Sequence, residues 1–367
     1  MTVAIRQEAN FADFTADPLS GCGDPVSDGY GWSGIVRLHP DDYSDETVYF
    51  EVVAKNSDAS ASVVYFAKWN GASRYSSPAK SISIPASTSA WTRFRSTAAT
   101  LDGSYPYWNF YSPDSSYVSI IRATAIILQS ADNITDTVTQ IEIGCQATIV
   151  PGSASTWYYM AEEAGEPKYW KYEASKWDPT PEIYLAVTFG CEDDMESYSF
   201  GLYDVTDSDY GGGNLDDLIT GCSQEAPRYY ESATDIQSYL EDGHVYCLAY
   251  WSDDNRDDMY FLNAKLMIYQ SDEGGITKLQ NEYLMVNDGN VTGDQEVDQL
   301  YDTAEWDGVD LTIYHEHSAS GATSSSKLED SGGDITDSAV TGAGLQRSSA
   351  ISLDDDEEIF TDVTTAG

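Results

Sequence analysis

The architecture of this chain is set by RLHPDDYSDETVYFEVVAKNSDASASVVYF, residues 37–66. This stretch predicts a short loop followed by two β-strands, because β-branched and aromatic residues fill both runs. A related stretch, KYEASKWDPTPEIYLAVTFGCEDDMESYSF, covers residues 171–200, and a weaker copy, QLYDTAEWDGVDLTIYHEH, covers residues 299–317. Copies this far apart indicate tandem domains, since solenoid repeats recur every 20 to 50 residues or so.

Large aromatic residues and one turn recur at equivalent positions of the copies. Tyr43 aligns with Trp177 and Trp306, and Phe66 aligns with Phe200. A later turn, LDG at residues 101–103, has partners in LEDG at 240–243 and LDD at 353–355. In this alignment the third copy lacks a closing strand. We therefore expect two full β-sandwiches and one truncated sandwich.

The fold class follows from the strand-like runs between Asp, Ser, Gly and Pro residues. No long stretch sustains a helical period, so we predict an all-β chain of tandem antiparallel β-sandwich or jelly-roll domains. The third, looser domain would be completed by another strand, either residues 2–8 or one from a neighbouring subunit. The predicted divisions are an N-terminal arm (1–20), jelly-roll domain 1 (21–150), jelly-roll domain 2 (151–286) and a partial third β-sandwich (287–367).

The net charge is −44, from 62 acidic and 18 basic residues. Such a charge repels itself in dilute buffer and is screened at molar salt. Acidic residues spread over every segment, with few lysines, indicate a protein made in a high-salt, halophilic cytoplasm. Without a basic patch, we expect no nucleic-acid partner and no binding to anionic membranes. No apolar run is long enough for membrane insertion.

The five cysteines and the N-terminal residues bear on disulfide bonding, zinc binding and secretion. An odd number of cysteines without a CxxC pair argues against a disulfide framework and against structural zinc. The alternative of one isolated disulfide bond, between Cys22 and Cys145, is left open by the sequence. The N-terminal residues MTVAIRQEANFADF lack the apolar core of a signal peptide, so we expect no signal-dependent secretion.

Candidate catalytic and metal-binding residues do not form a recognisable site in the sequence. His315 and His317 would share one face of a strand, as a metal pair needs, but no third ligand lies nearby. Acidic clusters at 192–194, 253–258 and 354–358 suit Ca²⁺ or Mg²⁺ without the spacing of a known site. We therefore name no metal ligand and expect no cofactor apart from such ions, and we expect the protein not to be an enzyme.

Aromatic residues near predicted strand ends are the better candidates. Their amphipathic rings suit sugar stacking or contacts between subunits, and the alternative is that they complete the sandwich cores. The candidate ligand or subunit contacts are Trp69, Tyr75, Trp157, Tyr229, Tyr230 and Trp251.

A family resemblance adds to this picture. The run DDY at 41–43, DETVYFEV at 45–52, RFRS at 93–96, the LDG turn and ATAIIL at 123–128 resemble the carbohydrate-binding-module-like jelly rolls of structural proteins in haloarchaeal tailed viruses. The resemblance implies a homo-oligomer on the virion surface, made in the cytoplasm of the archaeal host. Such proteins form capsid turrets, decorations, or tail fibres and spikes for host attachment.

The resemblance also implies the partners. These would be copies of the chain itself, other virion proteins, and host-cell glycans or the S-layer. The alternative function is a cellular halophilic carbohydrate-binding protein, or the non-catalytic module of a polysaccharide-active enzyme.

Overall fold

The computed structural model of the chain describes most of its length. The described residues are 4–13, 19–20, 34–70, 79–112, 117–130, 134–149, 157–159, 169–191, 197–222, 228–253, 259–280, 293–301, 313–319, 325–330, 332–342, 344–352 and 357–364. Within them the regular structure is β-strand apart from short 3-10 helices. None of these helices has the length and apolar character needed to cross a membrane.

The strands are numbered in chain order. The first nine are β1 (Ala4–Asp13), β2 (Leu19–Ser20), β3 (Val36–Arg37), β4 (Thr47–Asn56), β5 (Ser62–Trp69), β6 (Lys80–Ile84), β7 (Thr88–Arg95), β8 (Tyr107–Tyr111) and β9 (Val118–Ser130). The next nine are β10 (Asp136–Ile149), β11 (Trp157–Tyr159), β12 (Trp170–Lys171), β13 (Glu182–Cys191), β14 (Tyr198–Asp204), β15 (Ile219–Cys222), β16 (Arg228–Glu231), β17 (Val245–Ser252) and β18 (Met259–Ser271).

The C-terminal strands are shorter. They are β19 (Gly293–Tyr301), β20 (Glu316–Ala319), β21 (Ser325–Asp330), β22 (Gly333–Asp334), β23 (Val340–Thr341), β24 (Gly344–Arg347) and β25 (Glu357–Thr364). The 3-10 helices in the described residues are Pro40–Asp42, Ala174–Lys176, Gly211–Gly213 and Gln237–Tyr239.

The sheets repeat one pattern three times. In unit 1 (β1–β9) the sheets are β1-β9-β4-β7 and β3-β8-β5-β6. In unit 2 (β10–β18) they are β10-β18-β13-β16 and β11-β17-β14-β15, and in unit 3 (β19–β25) they are β19-β25-β21-β22 and β20-β24. Each unit opens with a strand that pairs antiparallel with the last strand of the same unit. The all-β prediction of tandem antiparallel sandwiches is confirmed.

Two strands near the predicted domain boundaries pair with later parts of the chain. Strand β10, which lies before the sequence-based boundary at residue 150, pairs with β18, so unit 2 already includes Asp136. The N-terminal arm contributes β1, the edge strand of unit 1. A Pro-Gly turn signal at 151–152 follows β10 in the sequence, but a turn signal marks where a strand ends and does not specify the sheet that the strand joins.

The third unit closes on itself. Strand β25 lies between β19 and β21, as β9 lies between β1 and β4. The chain therefore supplies its own closing strand, and β1 pairs with β9 instead of completing unit 3. Unit 3 is nevertheless small, and its described core consists of Leu328, Ile335 and Ile351 with Ile313 packed beside them.

The cores of the two larger units contain the aligned residues. In unit 1 the rings of Phe50 and Phe66 stack with centroids 4.5 Å apart. In unit 2 the rings of Phe189 and Phe200 meet at 5.2 Å. Phe66 and Phe200 are both completely buried, as alternation along a half-buried strand requires.

Two of the cysteines, Cys222 and Cys247, are buried in unit 2. The pairing of Cys22 with Cys145 stays a prediction, because Cys22 lies outside the described residues.

Candidate functional site

Units 1 and 2 share a packed surface. The outer face of the β10-β18-β13-β16 sheet turns toward unit 1, and Val138, Ala186 and Met267 of this face belong to the same buried cluster as the unit 1 core. Burial of these apolar side chains joins the two units through one continuous hydrophobic contact.

A polar network borders this contact, and we call it joint 1: Arg37, Asp42, Tyr229, Glu231 and Tyr269. The Arg37 guanidinium donates to the Tyr269 hydroxyl and lies 2.7 Å from Asp42 Oδ2. The Tyr229 and Tyr269 hydroxyls donate to the two oxygens of Glu231, at 2.6 and 3.1 Å. Burial and, next, the Glu231 charge raise the pKa of both tyrosines above 10.0, so both stay neutral donors.

Tyr229 was predicted to contact a ligand or subunit, and the structure places it inside joint 1. Its ring also packs against Tyr107 of unit 1, with centroids 4.9 Å apart. Gln140 supports the same contact, since its Nε2 donates to the Arg37 carbonyl at 2.7 Å. Tyr229 therefore connects two units of one chain.

A smaller contact, joint 2, connects units 2 and 3: Glu173, Lys176, Tyr314, Glu316 and Arg347. The Arg347 guanidinium pairs with Glu173 of unit 2 and with Glu316 of unit 3. The Arg347 guanidinium carbon and the Lys176 Nζ lie 5.3 and 5.0 Å from the centre of the Tyr314 ring. Two of the chain's 18 basic residues thus meet at one boundary, where they attract carboxylates and an aromatic face.

Two predicted site residues, Trp157 and Trp251, come together in unit 2. They are directly opposed on β11 and β17, so their side chains lie on the same side of the sheet. The Trp157 ring lies 5.7 Å from Tyr210, and Tyr210 lies 5.1 Å from Tyr203. All four side chains are half-buried, and we call this set the aromatic face. Such rings suit the apolar side of a sugar ring.

The remaining predicted residues are dispersed. Trp69 donates its Nε1 hydrogen to Asn109 Oδ1 at 2.6 Å within unit 1. Tyr230 packs against Phe189 beside the unit 2 core, with centroids 6.5 Å apart. Tyr75 lies outside the described residues. The five candidates that the structure describes therefore do not form one site.

The histidine pair also lies in unit 3. His315 is buried, with Nδ1 2.8 Å from the Ser338 carbonyl and Nε2 3.3 Å from Ser326 Oγ. Both ring nitrogens thus face internal partners, which explains this histidine without a metal. The His317 side chain and most of the acidic clusters, at 192–194, 254–258 and 353–356, lie outside what the structure describes.

His244 was not among the residues predicted from the sequence. Its Nδ1 lies 2.8 Å from Asp204 Oδ2, and its Nε2 lies 3.6 Å from Glu241 Oε2. The hydrogen bond from Asp204 raises the pKa of His244 above 6.5, against a smaller opposing effect of burial. The LEDG turn at 240–243 was the sequence signal closest to this position.

Asp204, Asp207 and His244 place potential metal-ligand atoms within 4.8 Å of one another. Asp204 Oδ1 already accepts hydrogen bonds from the backbone of Thr206 and Asp207, at 2.9 and 3.2 Å, while Oδ2 faces His244. Internal donors account for this geometry, so we assign no metal to the cluster.

Comparison with known proteins identifies no family. No family model matches the chain, and no curated protein matches it. The similar solved structures include PNGF-II (10% identity, TM-score 0.22, 77% of this chain and 66% of that one). Two others are the STIV MCP (10%, 0.19, 73% and 96%) and the VP2 subviral particle of infectious bursal disease virus (8%, 0.25, 99% and 79%). At these TM-scores the likenesses carry no argument about function.

Proposed function

We propose that this chain is a non-enzymatic structural protein of a halophilic virus particle, forming a surface projection such as a turret, decoration or tail fibre. The observation that carries the proposal is the serial arrangement of three β-sandwich units connected by joint 1 and joint 2. Buried apolar contact and directed ion pairs at these boundaries hold successive units in fixed relation, as an extended projection requires. The carboxylate-rich composition suits a particle exposed to brine.

Oligomerisation and contact with other virion proteins belong to the same proposal. A projection is built from several copies, and closed symmetry is the usual arrangement. The family resemblance of the repeats gives the specific setting, a haloarchaeal tailed virus.

Immuno-electron microscopy of haloarchaeal virus particles, with an antibody against this chain, tests the proposal. We expect label at capsid vertices or along the tail, and the position of the label would identify the projection. Particles without label, with the protein confined to cells or medium, would contradict it. That result would favour the alternative, a cellular carbohydrate-binding protein.

We assign host-surface contact to the aromatic face of unit 2. Two opposed tryptophans, with Tyr210 beside one of them, offer stacking surfaces for sugar rings. Neutral sugars can approach these rings because the negative charge of the protein does not repel them. Glycan-array binding in molar salt would compare the native protein with Trp157→Ala and Trp251→Ala. Trp91→Ala is the matched control, because that half-buried ring lies in unit 1 beneath the Lys55 ammonium at 4.4 Å. Equal binding by all variants would exclude this face.

A further inference from the structure

Units 1 and 2 close the same strand end with ion pairs of opposite polarity. Lys68 on β5 is paired with Trp108, and Asp204 on β14 is paired with Tyr246. Trp108 and Tyr246 correspond in strand register, because each also pairs with the short strand on its other side, β3 or β12, two residues away from the register that the alignment of Phe66 with Phe200 gives. In unit 1 the Lys68 Nζ lies 2.7 Å from Asp102 Oδ2 in the LDG turn. In unit 2 the strand supplies the carboxylate of Asp204, and the turn region supplies the imidazole of His244. Lysine keeps its charge over the physiological pH range, whereas histidine does not.

The charged groups that act on His244 are acidic. Asp204 faces it from β14, Asp207 contributes from the following turn, and Glu241 faces it from the loop before β17. From β17 itself, the Tyr246 hydroxyl accepts the Glu241 backbone hydrogen at 2.8 Å. On the adjacent strand β12, Lys171 extends to Glu173, 3.8 Å away. The protonated imidazole is therefore the cation among three carboxylates.

The loop that carries His244 also holds the unit 2 side of joint 2. Tyr172 donates its backbone hydrogen to the His244 carbonyl at 3.0 Å and accepts one from Gly243 at 2.8 Å. The Ala174 backbone hydrogen bonds to Asp242 Oδ1 at 2.8 Å. Glu173, between these two anchored residues, pairs with Arg347 of unit 3.

We propose that His244 is a proton-dependent latch that fixes residues 172–174 and, through Glu173, the attachment of unit 3. When the imidazolium loses its proton, three carboxylates face a neutral ring and one charge-assisted hydrogen bond becomes an ordinary one. The loop at 240–244 then loses a constraint, and joint 2 loosens. The Lys68–Asp102 pair gives unit 1 no such response. This inference is independent of the proposed virion role.

The direction of the effect follows from linkage. The pKa of His244 is higher in the folded protein than in the unfolded chain, so the folded state binds the proton more tightly. The latch therefore stabilises the loop fully below a pH of about 6.5, the ordinary histidine pKa. Its contribution is lost as the pH rises through the folded-state pKa.

Hydrogen–deuterium exchange of the full chain in molar salt tests the latch. Exchange at about pH 6 and about pH 9, corrected for the intrinsic rate, is followed in peptides covering 170–176 and 238–246. We expect protection there to fall about threefold to tenfold at the higher pH, because one charge-assisted hydrogen bond becomes an ordinary one. The peptide covering 100–107 in unit 1 serves as the internal control and keeps its protection.

Two variants separate the latch from a general effect of pH. His244→Gln removes the titrating charge and is expected to show low, pH-independent protection at both peptides. His244→Lys supplies a cation that does not titrate in this range and is expected to retain protection at the higher pH. Equal protection of the native loop at both pH values would overturn the proposal. An unchanged pH response in either variant would overturn it as well.

Discussion

Tyr43 and Trp177 occupy the same place in successive units. Each is buried and directly follows a 3-10 helix, and its backbone hydrogen bonds to the carbonyl of the first helical residue, Pro40 or Ala174, at 3.4 Å. Each ring belongs to the buried hydrophobic core of its own unit. The repeat seen in the sequence therefore corresponds to one repeated structural feature, a 3-10 turn followed by a large aromatic residue that packs in the core.

Replacing Trp177 tests this device. Trp177→Ala leaves a cavity at a site where the native side chain is only 5% exposed. We expect unit 2 to lose about 3–5 kcal/mol of unfolding free energy, measured by denaturant titration in molar salt. Tyr239→Ala is the control, since that ring is 39% exposed and its loss is expected to cost about 0.5 kcal/mol or less. Similar losses in the two variants would contradict the assigned role.

Joint 1 depends on Arg37. Arg37→Ala removes the cation that faces Asp42 and the Tyr269–Glu231 pair, and leaves buried polar atoms without that donor. We expect a loss of about 2 kcal/mol, typical of hydrogen bonds to charged groups. Arg228→Ala, at an exposed position on β16, removes the same charge and controls for the change in net charge. Equal unfolding midpoints for the two variants would show that joint 1 does not contribute.

Joint 2 can be tested by exchanging its charges. Arg347→Glu places a carboxylate opposite Glu173 and is expected to separate unit 3 from unit 2. Small-angle scattering would then show an increased radius of gyration. The double variant Arg347→Glu with Glu173→Arg restores opposite charges and is expected to recover much of the native value. If Arg347→Glu leaves the scattering curve unchanged, the ion pair does not hold unit 3.

The net charge of −44 predicts a strong dependence on salt. The screening length falls from about 10 Å at 0.1 M salt to about 3 Å at 1 M, so repulsion between carboxylates weakens steeply. We expect the melting temperature to rise over this range of sodium chloride concentration. Sucrose at matched osmolality is the control, because it does not screen charge. If sucrose raises the melting temperature as much as sodium chloride does, the effect is due to exclusion of the solute from the protein surface and not to charge screening.

The sequence predicted the all-β class and the positions of the repeated rings for a local reason. Alternation of residues such as Val48 and Phe50 along a strand determines which side chains face a core, whatever strand lies beside them. Turn residues between such runs likewise determine where strands end. Each of these signals depends on a few neighbouring residues. The repeat provides the same signal in two units, as with Phe66 in unit 1 and Phe200 in unit 2.

The tertiary structure decided the partners. The residues of β10 do not by themselves predict that this strand pairs with β18. The residues of β25 likewise do not predict that this strand closes unit 3. Tyr229 was a candidate contact because it lies near a predicted strand end, and the structure packs it against Tyr107 of unit 1. His244 meets Asp204 only because β14 and β17 lie side by side. Strand composition is a property of the segment, whereas pairing and charge contacts depend on the free energy of bringing distant segments together, which no single segment encodes.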